Sequence, residues 1–397
     1  GDEIGLPIIL RNFLEESQSI TMQISEQTWF STNDQLKRSI KVEAGDFTKE
    51  IFNFRANVPI EKGEQQISVT GTQNDAIKKL ITVLPNGAEI VESISNVLTE
   101  QTIFELDIPK EALTIGKQTE LKIYPNLSAH LLESLEVILQ RPYGCGEQTI
   151  SSTYPNLLFL RYLKDSKQVM DITQQKAINY LNLGYNRLLS YYNKDGGFSY
   201  WSNGPSDLAL TAYALEFLTD AKEIIFVNED LIKDNFNWLL SQQNDDGSWQ
   251  PKKLGVNENK YFDLQTALIT KALAKIVDKN NESEITKLNK ALDYLEKTTL
   301  DEPYLLACYA QAANRLGDKT KSLQATNKLR KLSKSSKKGY SWAINGYTPF
   351  YGWGLTGEIE TTAIVLQSLI EQIDISNKGE LLKDQTVNQT LLFLLNN

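Results

Sequence analysis

A chain of 397 residues exceeds one small fold and has room for two or three domains, each with a core of its own. Its 50 acidic side chains against 41 Lys and Arg give a formal charge of −9, and with no long basic run this argues against nucleic acid or an anionic membrane surface as partner. No apolar run nears the roughly 18 residues that cross a bilayer, and the two cysteines, Cys145 and Cys308, supply neither a disulfide framework nor the spacing of a zinc site.

The N-terminal "GDEIGLPIIL" has no basic stretch or cleavage site and reads as a strand already in progress, so a piece of a longer chain is expected. From Gly1 to about Tyr124 apolar and polar residues alternate in "SITMQIS", "RSIKVEAG", "EIFNFRANV", "QQISVTGT", "IFELDIP" and "ELKIYPN", separated by Gly, Asn, Asp and Pro. Period two predicts antiparallel β-structure. "DAIKKLITVLPNG", Asp75 to Gly87, runs one strand into a Pro-Asn-Gly turn, and a domain boundary is expected there.

After Asn126 the period becomes 3.6, in runs such as "AHLLESLEVIL", "NYLNLGYNRLLSYY", "LALTAYALEFL", "LQTALITKALAKI" and "PYLLACYAQAANRL". The C-terminal two-thirds is predicted to be all α. A Gly-aromatic turn followed by Thr-Ala-x5-Leu recurs three times: "GGFSYW" with Thr211, Ala212 and Leu218, "DGSWQ" with Thr266, Ala267 and Leu273, and "GYSW" with Thr362, Ala363 and Leu369. Such repetition predicts helical hairpins stacked around a ring, an α/α toroid. Its glycines allow sharp turns while Phe198, Trp249 and Trp342 fill the space between hairpins. Cys308, inside an apolar helical run, is expected to be a core thiol. "KLRKLSKSSKKG" is expected to be a solvated helix end and loop. "NLS", "NES" and "NQT" at Asn126, Asn281 and Asn388 fit the glycosylation sequon.

"RPYGCGEQTI", Arg141 to Ile150, sets Cys145 between Gly144 and Gly146, three residues before Gln148. If the backbone turns tightly, the thiol reaches the Gln148 side-chain carbonyl carbon, and the flanking glycines permit that turn. Thiolate attack with loss of ammonia would leave an internal thioester, a stored electrophile. Amide to thioester is uphill in water, so the toroid is expected to supply a dry site where the two groups are held in contact. The plain alternative is a small buried cysteine in a glycine-rich turn.

"GCGEQ" within "PYGCGEQT" resembles, residue for residue, the thioester signature of the alpha-2-macroglobulin and complement superfamily. The resemblance implies that residues 1–87 are a macroglobulin-like β-sandwich, 88–126 the first part of a split CUB-like β domain, and 127–397 the thioester domain, an α/α toroid. It implies a Cys145–Gln148 cross-link, no cofactor and no metal, and single-use acylation of a target rather than enzymatic turnover. Implied partners are proteases, as activator and target, and amine nucleophiles on target proteins or surfaces, in an extracellular or periplasmic setting.

Complement-like members pass the acyl group to a histidine roughly 110 residues after the cysteine; here the only histidine is His130, upstream of the motif in the helix-like "SAHLLESL". Asn257 matches that position, as in macroglobulin-type members, which implies direct aminolysis of the thioester by lysine side chains. Rival readings are an opsonin-like surface tag, an inert non-covalent module, and an enzyme on the same ring, since "SQQNDDGSWQ" resembles a triterpene-cyclase repeat and prenyltransferases share the toroid. A cyclase needs an acidic Asp-x-Asp-Asp donor and a prenyltransferase a zinc set with His and Cys; neither is present. Tyr143 stands beside the motif as a shield or a packing residue.

Overall fold

The computed structural model describes residues 1–94, 101, 103–110, 118–124, 139–167, 171–249, 259–298, 301–373 and 383–397. They fall into two compact units, Gly1–Glu92 with Ile103–Ile123, and Ser93–Thr102 with Tyr124–Asn397.

Among its described residues the first unit contains seven strands: β1 Glu3–Arg11, β2 Gln18–Ile24, β3 Phe30–Ser31, β4 Lys37–Val42, β5 Phe47–Ala56, β6 Ile60–Thr70 and β7 Asp75–Val83. They form two antiparallel sheets, ordered β1-β5-β3 and β4-β2-β6-β7. Alternation does what the sequence pattern predicts: Met22 and Ile24 on β2 and Phe52 on β5 point into one core with Ile8, Trp29 and Phe30. Trp29 meets Phe30 and Phe54 edge-on, at centroid distances of 4.9 and 5.4 Å, the geometry the ring quadrupoles favour.

Between residues 88 and 124 the described residues form no strand, although "IFELDIP" and "ELKIYPN" alternate like strands. Their apolar side chains, including Ile103, Leu106, Ile108, Leu121 and Ile123, are exposed. An alternating sequence becomes a strand only where a neighbour takes up its backbone N–H and C=O groups, and no described strand does so here.

The second unit holds ten described α-helices: α1 Gly146–Ser166, α2 Asp171–Leu188, α3 Leu208–Ala221, α4 Glu229–Ser241, α5 Asn259–Ala274, α6 Glu282–Lys297, α7 Pro303–Leu316, α8 Lys319–Leu332, α9 Gly354–Ile370 and α10 Gln385–Leu395. The odd-numbered helices pack each on the next, and each even-numbered helix packs on the odd-numbered one before it. This is the two-layered α/α toroid. Burial separates the layers: every residue of α7 from Tyr304 to Ala313 is buried, whereas α6 buries only Leu288, Ala291, Leu292 and Leu295, the single stripe of a surface helix. Three ion pairs lie inside the unit, each offsetting the cost of burying its charges: Lys271 with Glu216 at 3.0 Å, Lys275 with Asp220 at 2.6 Å, Arg315 with Glu371 at 2.7 Å.

The three sequence repeats are one physical device used three times. The backbone N–H groups of Phe198, Trp249 and Trp342 donate to the hydroxyls of Thr211, Thr266 and Thr362, at 2.8, 3.1 and 3.0 Å. All three aromatics are fully buried, and both tryptophan indoles donate to a carbonyl of the preceding even-numbered helix, Leu239 on α4 and Leu329 on α8, at 2.7 and 2.8 Å. Glycine is required in the same turns. Gly247 and Gly339 have φ of +94° and +120°, and a Cβ there would strike the backbone of α6 at Lys290 or of α10 at Gln389.

Cys308 is fully buried on α7, and burial pushes its thiol up to about 12, which leaves it an unreactive core group. The basic run expected to be a solvated helix end and loop instead continues past α8 into a short hairpin, β8 Lys334–Ser336 with β9 Gly339–Ser341. The reversal is permitted by Gly339 at positive φ, and the first strand's side chains stay exposed.

Replacing Thr266 or Thr362 by the isosteric valine leaves a buried tryptophan N–H without an acceptor. Each substitution is expected to destabilise the helical unit by roughly 1–3 kcal/mol in denaturant unfolding. An unchanged midpoint would remove the threonine from the account of the repeat.

Candidate functional site

The motif lies at the N-terminus of α1. Cys145 is the residue that caps the helix, with extended φ and ψ of −76° and −176°. Its carbonyl accepts the first helical hydrogen bond, from the N–H of Thr149 at 2.9 Å. Cys-x-x-Gln takes the form of a reciprocal capping box, with cysteine in the usual place of serine. The Gln148 N–H donates to the Cys145 side chain, and the Cys145 N–H donates back to Gln148 Oε1 at 3.1 Å. Sulfur and carboxamide are thereby drawn to the same helix end.

The two glycines do different jobs. Gly144 has φ of +79°, and a Cβ on it would fall on the folded-back Gln148 side chain, 2.7 Å from the carboxamide carbon. Gly146 is needed for close approach instead: a Cβ would stand 2.6 Å from the carbonyl oxygen of Ser199. Its N–H donates to the Tyr200 carbonyl at 2.9 Å, seating the motif on the first Gly-aromatic turn.

Residues far away in sequence grip the same turn. The Gly144 carbonyl accepts from Arg187 Nη2 at 2.6 Å and from the Tyr191 hydroxyl at 2.7 Å. Arg187 Nε donates to Thr149 Oγ1 at 3.2 Å, which bonds in turn to the Tyr143 carbonyl at 3.4 Å. Beside Glu147, Ser151 Oγ donates to its carboxylate at 2.5 Å and lies 3.4 Å from the Tyr213 hydroxyl. Burial raises the Tyr200 phenol above its ordinary range, and the neighbouring Asp207, Tyr351, Glu147 and Cys145 add to the rise. Tyr200 is therefore a neutral neighbour of the sulfur.

The dry site expected of the toroid is half present. Cys145 is only 9% exposed, whereas Gln148, on the open face of the first turn, is exposed. A carboxamide at a helix end faces outward wherever no other segment lies over that end. Tyr143 is 56% exposed and does not cover the pair. Asn257 and His130 lie outside the described residues, as does Asn126. Local spacing reveals Cys145, Gln148 and the glycines; Arg187 and Tyr191, more than 40 residues downstream, carry no local signature and emerge only when α2 and the turn after it fold against α1.

A family model described as the A-macroglobulin TED domain matches residues 114–385. The chain belongs to the A-macroglobulin TED domain family. Thioester-containing protein 1 allele S1 of Anopheles gambiae is 28% identical over 321 residues, covering 76% of this chain and 23% of that protein. Allele S3 from the same organism matches with the same identity and coverage. The chain thus spans less than a quarter of these relatives. Among solved structures, native alpha-2-macroglobulin of E. coli matches all of this chain over 25% of its own length, with a TM-score of 0.52 and 18% identity. Salmonella alpha-2-macroglobulin reacted with methylamine does so over 26% of its length, with a TM-score of 0.51 and 18% identity. These likenesses identify the fold, β-sheets of the macroglobulin type followed by the TED toroid. Membership in this family separates the helical unit from the terpene cyclases and prenyltransferases on a similar ring. Among the described residues, no helix of this TED-family chain is long and apolar enough to cross a membrane.

Gly144→Ala is expected to fold with a penalty of about 1 kcal/mol from its positive φ and to lose the Gln148 fold-back. A crystal structure of the variant should show Gln148 turned away and its bond to the Cys145 N–H broken. A variant with Gln148 in place would show that the turn tolerates a side chain.

Proposed function

We propose that Cys145 and Gln148 form an internal thioester and that the chain is part of a protease-capturing or defence protein of alpha-2-macroglobulin type. The observation that carries this reading is the reciprocal capping box, in which Gln148 lies folded over Gly144 with its carboxamide oxygen on the Cys145 N–H. The Cys145 thiolate attacks Gln148 Cδ, the bond to nitrogen breaks, and ammonia leaves carrying the proton. The pre-folded pair supplies proximity, which removes much of the entropic cost of bringing the two groups together.

An incoming neutral amine attacks the same carbon. The carbon–sulfur bond breaks, Cys145 takes the extra proton of the nitrogen and leaves as the free thiol, and the target is left in amide linkage to residue 148. The reaction occurs once per molecule, so the chain acts as a single-use reagent with the character of an endopeptidase inhibitor. No histidine follows the motif, which favours amines over hydroxyls, with Asn257 at the position of the complement histidine. Division at about residues 87 and 126 into sandwich, split β domain and thioester domain, a protease as activator, and an extracellular or periplasmic location complete the proposal. An opsonin-like surface tag is the second reading, and it would use the same Cys145–Gln148 chemistry on a different target. The solvent-open Gln148 implies that the bond is protected in the whole protein by a segment covering this end of α1.

Freshly prepared protein exposed to labelled methylamine and labelled glycerol is expected to take up methylamine at Gln148, with release of one thiol. Cys145→Ala should abolish uptake. Faster uptake of glycerol than of methylamine would overturn the amine preference, and uptake independent of Cys145 would overturn the thioester.

A further inference from the structure

The two hydrogen-bonded groups that flank the reacting pair belong to one peptide unit. The carbonyl of Gly144 and the N–H of Cys145 are the two ends of a single amide. The carbonyl end accepts from the Arg187 guanidinium at 2.6 Å and the Tyr191 hydroxyl at 2.7 Å. The N–H end donates to Gln148 Oε1 at 3.1 Å. Oε1 is the atom on which negative charge must appear when any nucleophile adds to Gln148 Cδ.

We infer that the Gly144–Cys145 peptide is the oxyanion donor of the acyl transfer, and that Arg187 and Tyr191 are positioning residues that orient and polarise it. This rests on the thioester reading above. Hydrogen bonds in series strengthen one another, and a cationic donor at the carbonyl end draws electron density from the amide and makes its N–H the better donor. The donor is preorganised because the peptide plane is fixed at both ends before reaction. In thioester formation the Cys145 thiolate adds to Cδ, Oε1 becomes the oxyanion, and the pair collapses with expulsion of ammonia. In transfer a neutral amine adds to Cδ, Oε1 again carries the charge, and collapse breaks the carbon–sulfur bond while the nitrogen passes its extra proton to the departing thiolate, leaving an amide and the free Cys145 thiol. One N–H serves both steps, since both pass through the same tetrahedral carbon.

The arrangement exceeds what a turn needs. Gly144 already reaches its positive φ without cost, and a single donor would satisfy its carbonyl. Two are present, one carried on an exposed side chain and the other on a buried ring against which the guanidinium sits, 6.0 Å from its centroid. Arg187 is also held by Thr149 Oγ1, so that this exposed side chain lies along the motif.

The test uses the full chain with Arg187→Gln, Arg187→Lys and Tyr191→Phe. Three readings are taken: intact mass, the rate of thiol release by methylamine, and the infrared stretch of the thioester carbonyl after 13C labelling of glutamine. Loss of a direct oxyanion donor costs about 100- to 1,000-fold, and Arg187→Gln, which acts through the peptide, should slow thiol release by less than that. The stretch should rise in frequency as the hydrogen bond to oxygen weakens, with Arg187→Lys intermediate and thermal stability near wild type. Tyr191→Phe, which removes one oxygen from a buried ring, should move rate and stretch in the same direction. A wild-type thioester with unchanged rates and carbonyl stretch in all three variants overturns the inference alone. A wild-type chain whose mass shows that no thioester ever forms, and which releases no thiol to methylamine, overturns the thioester reading and this inference together.

Discussion

The contact between the Gln148 side chain and the bare Cα of Gly144 governs the rest of the site. A carboxamide laid across a backbone can reach the preceding cysteine only if the residue beneath it has no Cβ, and only if that residue takes up a left-handed φ. Everything nearby maintains this one approach. Gly146 lets the Ser199 backbone close in behind it, Thr149 continues the helix that fixes Gln148, and Arg187 with Tyr191 hold the peptide plane between Gly144 and Cys145. The capping box that usually starts a helix here also brings the Cys145 sulfur and the Gln148 carboxamide to the same helix end.

The toroid is the frame that makes this geometry repeatable. Its first Gly-aromatic turn, with Phe198 anchored on Thr211, is the turn whose next residues receive Gly146. The same anchor recurs at Trp249 and Trp342 in the later hairpins, where it packs one hairpin on the next. A structural repeat has thus been given a second task at one of its three positions. The frame closes the sulfur side and leaves the carboxamide side open; under the proposed acyl transfer the open side is the one from which a target would approach.

Much of this was legible in the sequence, for reasons of range. Period two gave the β unit its strands because each inward residue is two from the next. Period 3.6 and the Thr-Ala repeats gave the toroid, since every hairpin reuses the same local bonds. Cys145 and Gln148 were visible because their partnership spans a single helical turn. The alternating segments near Ile103 and Leu121 form no strand among the described residues, because alternation encodes a face and not a partner. Arg187 and Tyr191 were invisible because a bond to the Gly144 carbonyl is made only once α1, α2 and the turn after α2 are packed. The solvent-open Gln148 was likewise beyond any spacing rule, since exposure is a property of what lies over a residue.

The account stands on whether Cys145 and Gln148 react with each other. Intact mass of the freshly purified chain, with peptide mapping across Arg141 to Ile150, tests it most directly. The account predicts a molecule lighter than its sequence by one ammonia, or, after hydrolysis, one carrying glutamate at position 148 beside a free Cys145 thiol. A mass equal to that of the unmodified sequence, with glutamine intact and Cys145 free, would contradict it.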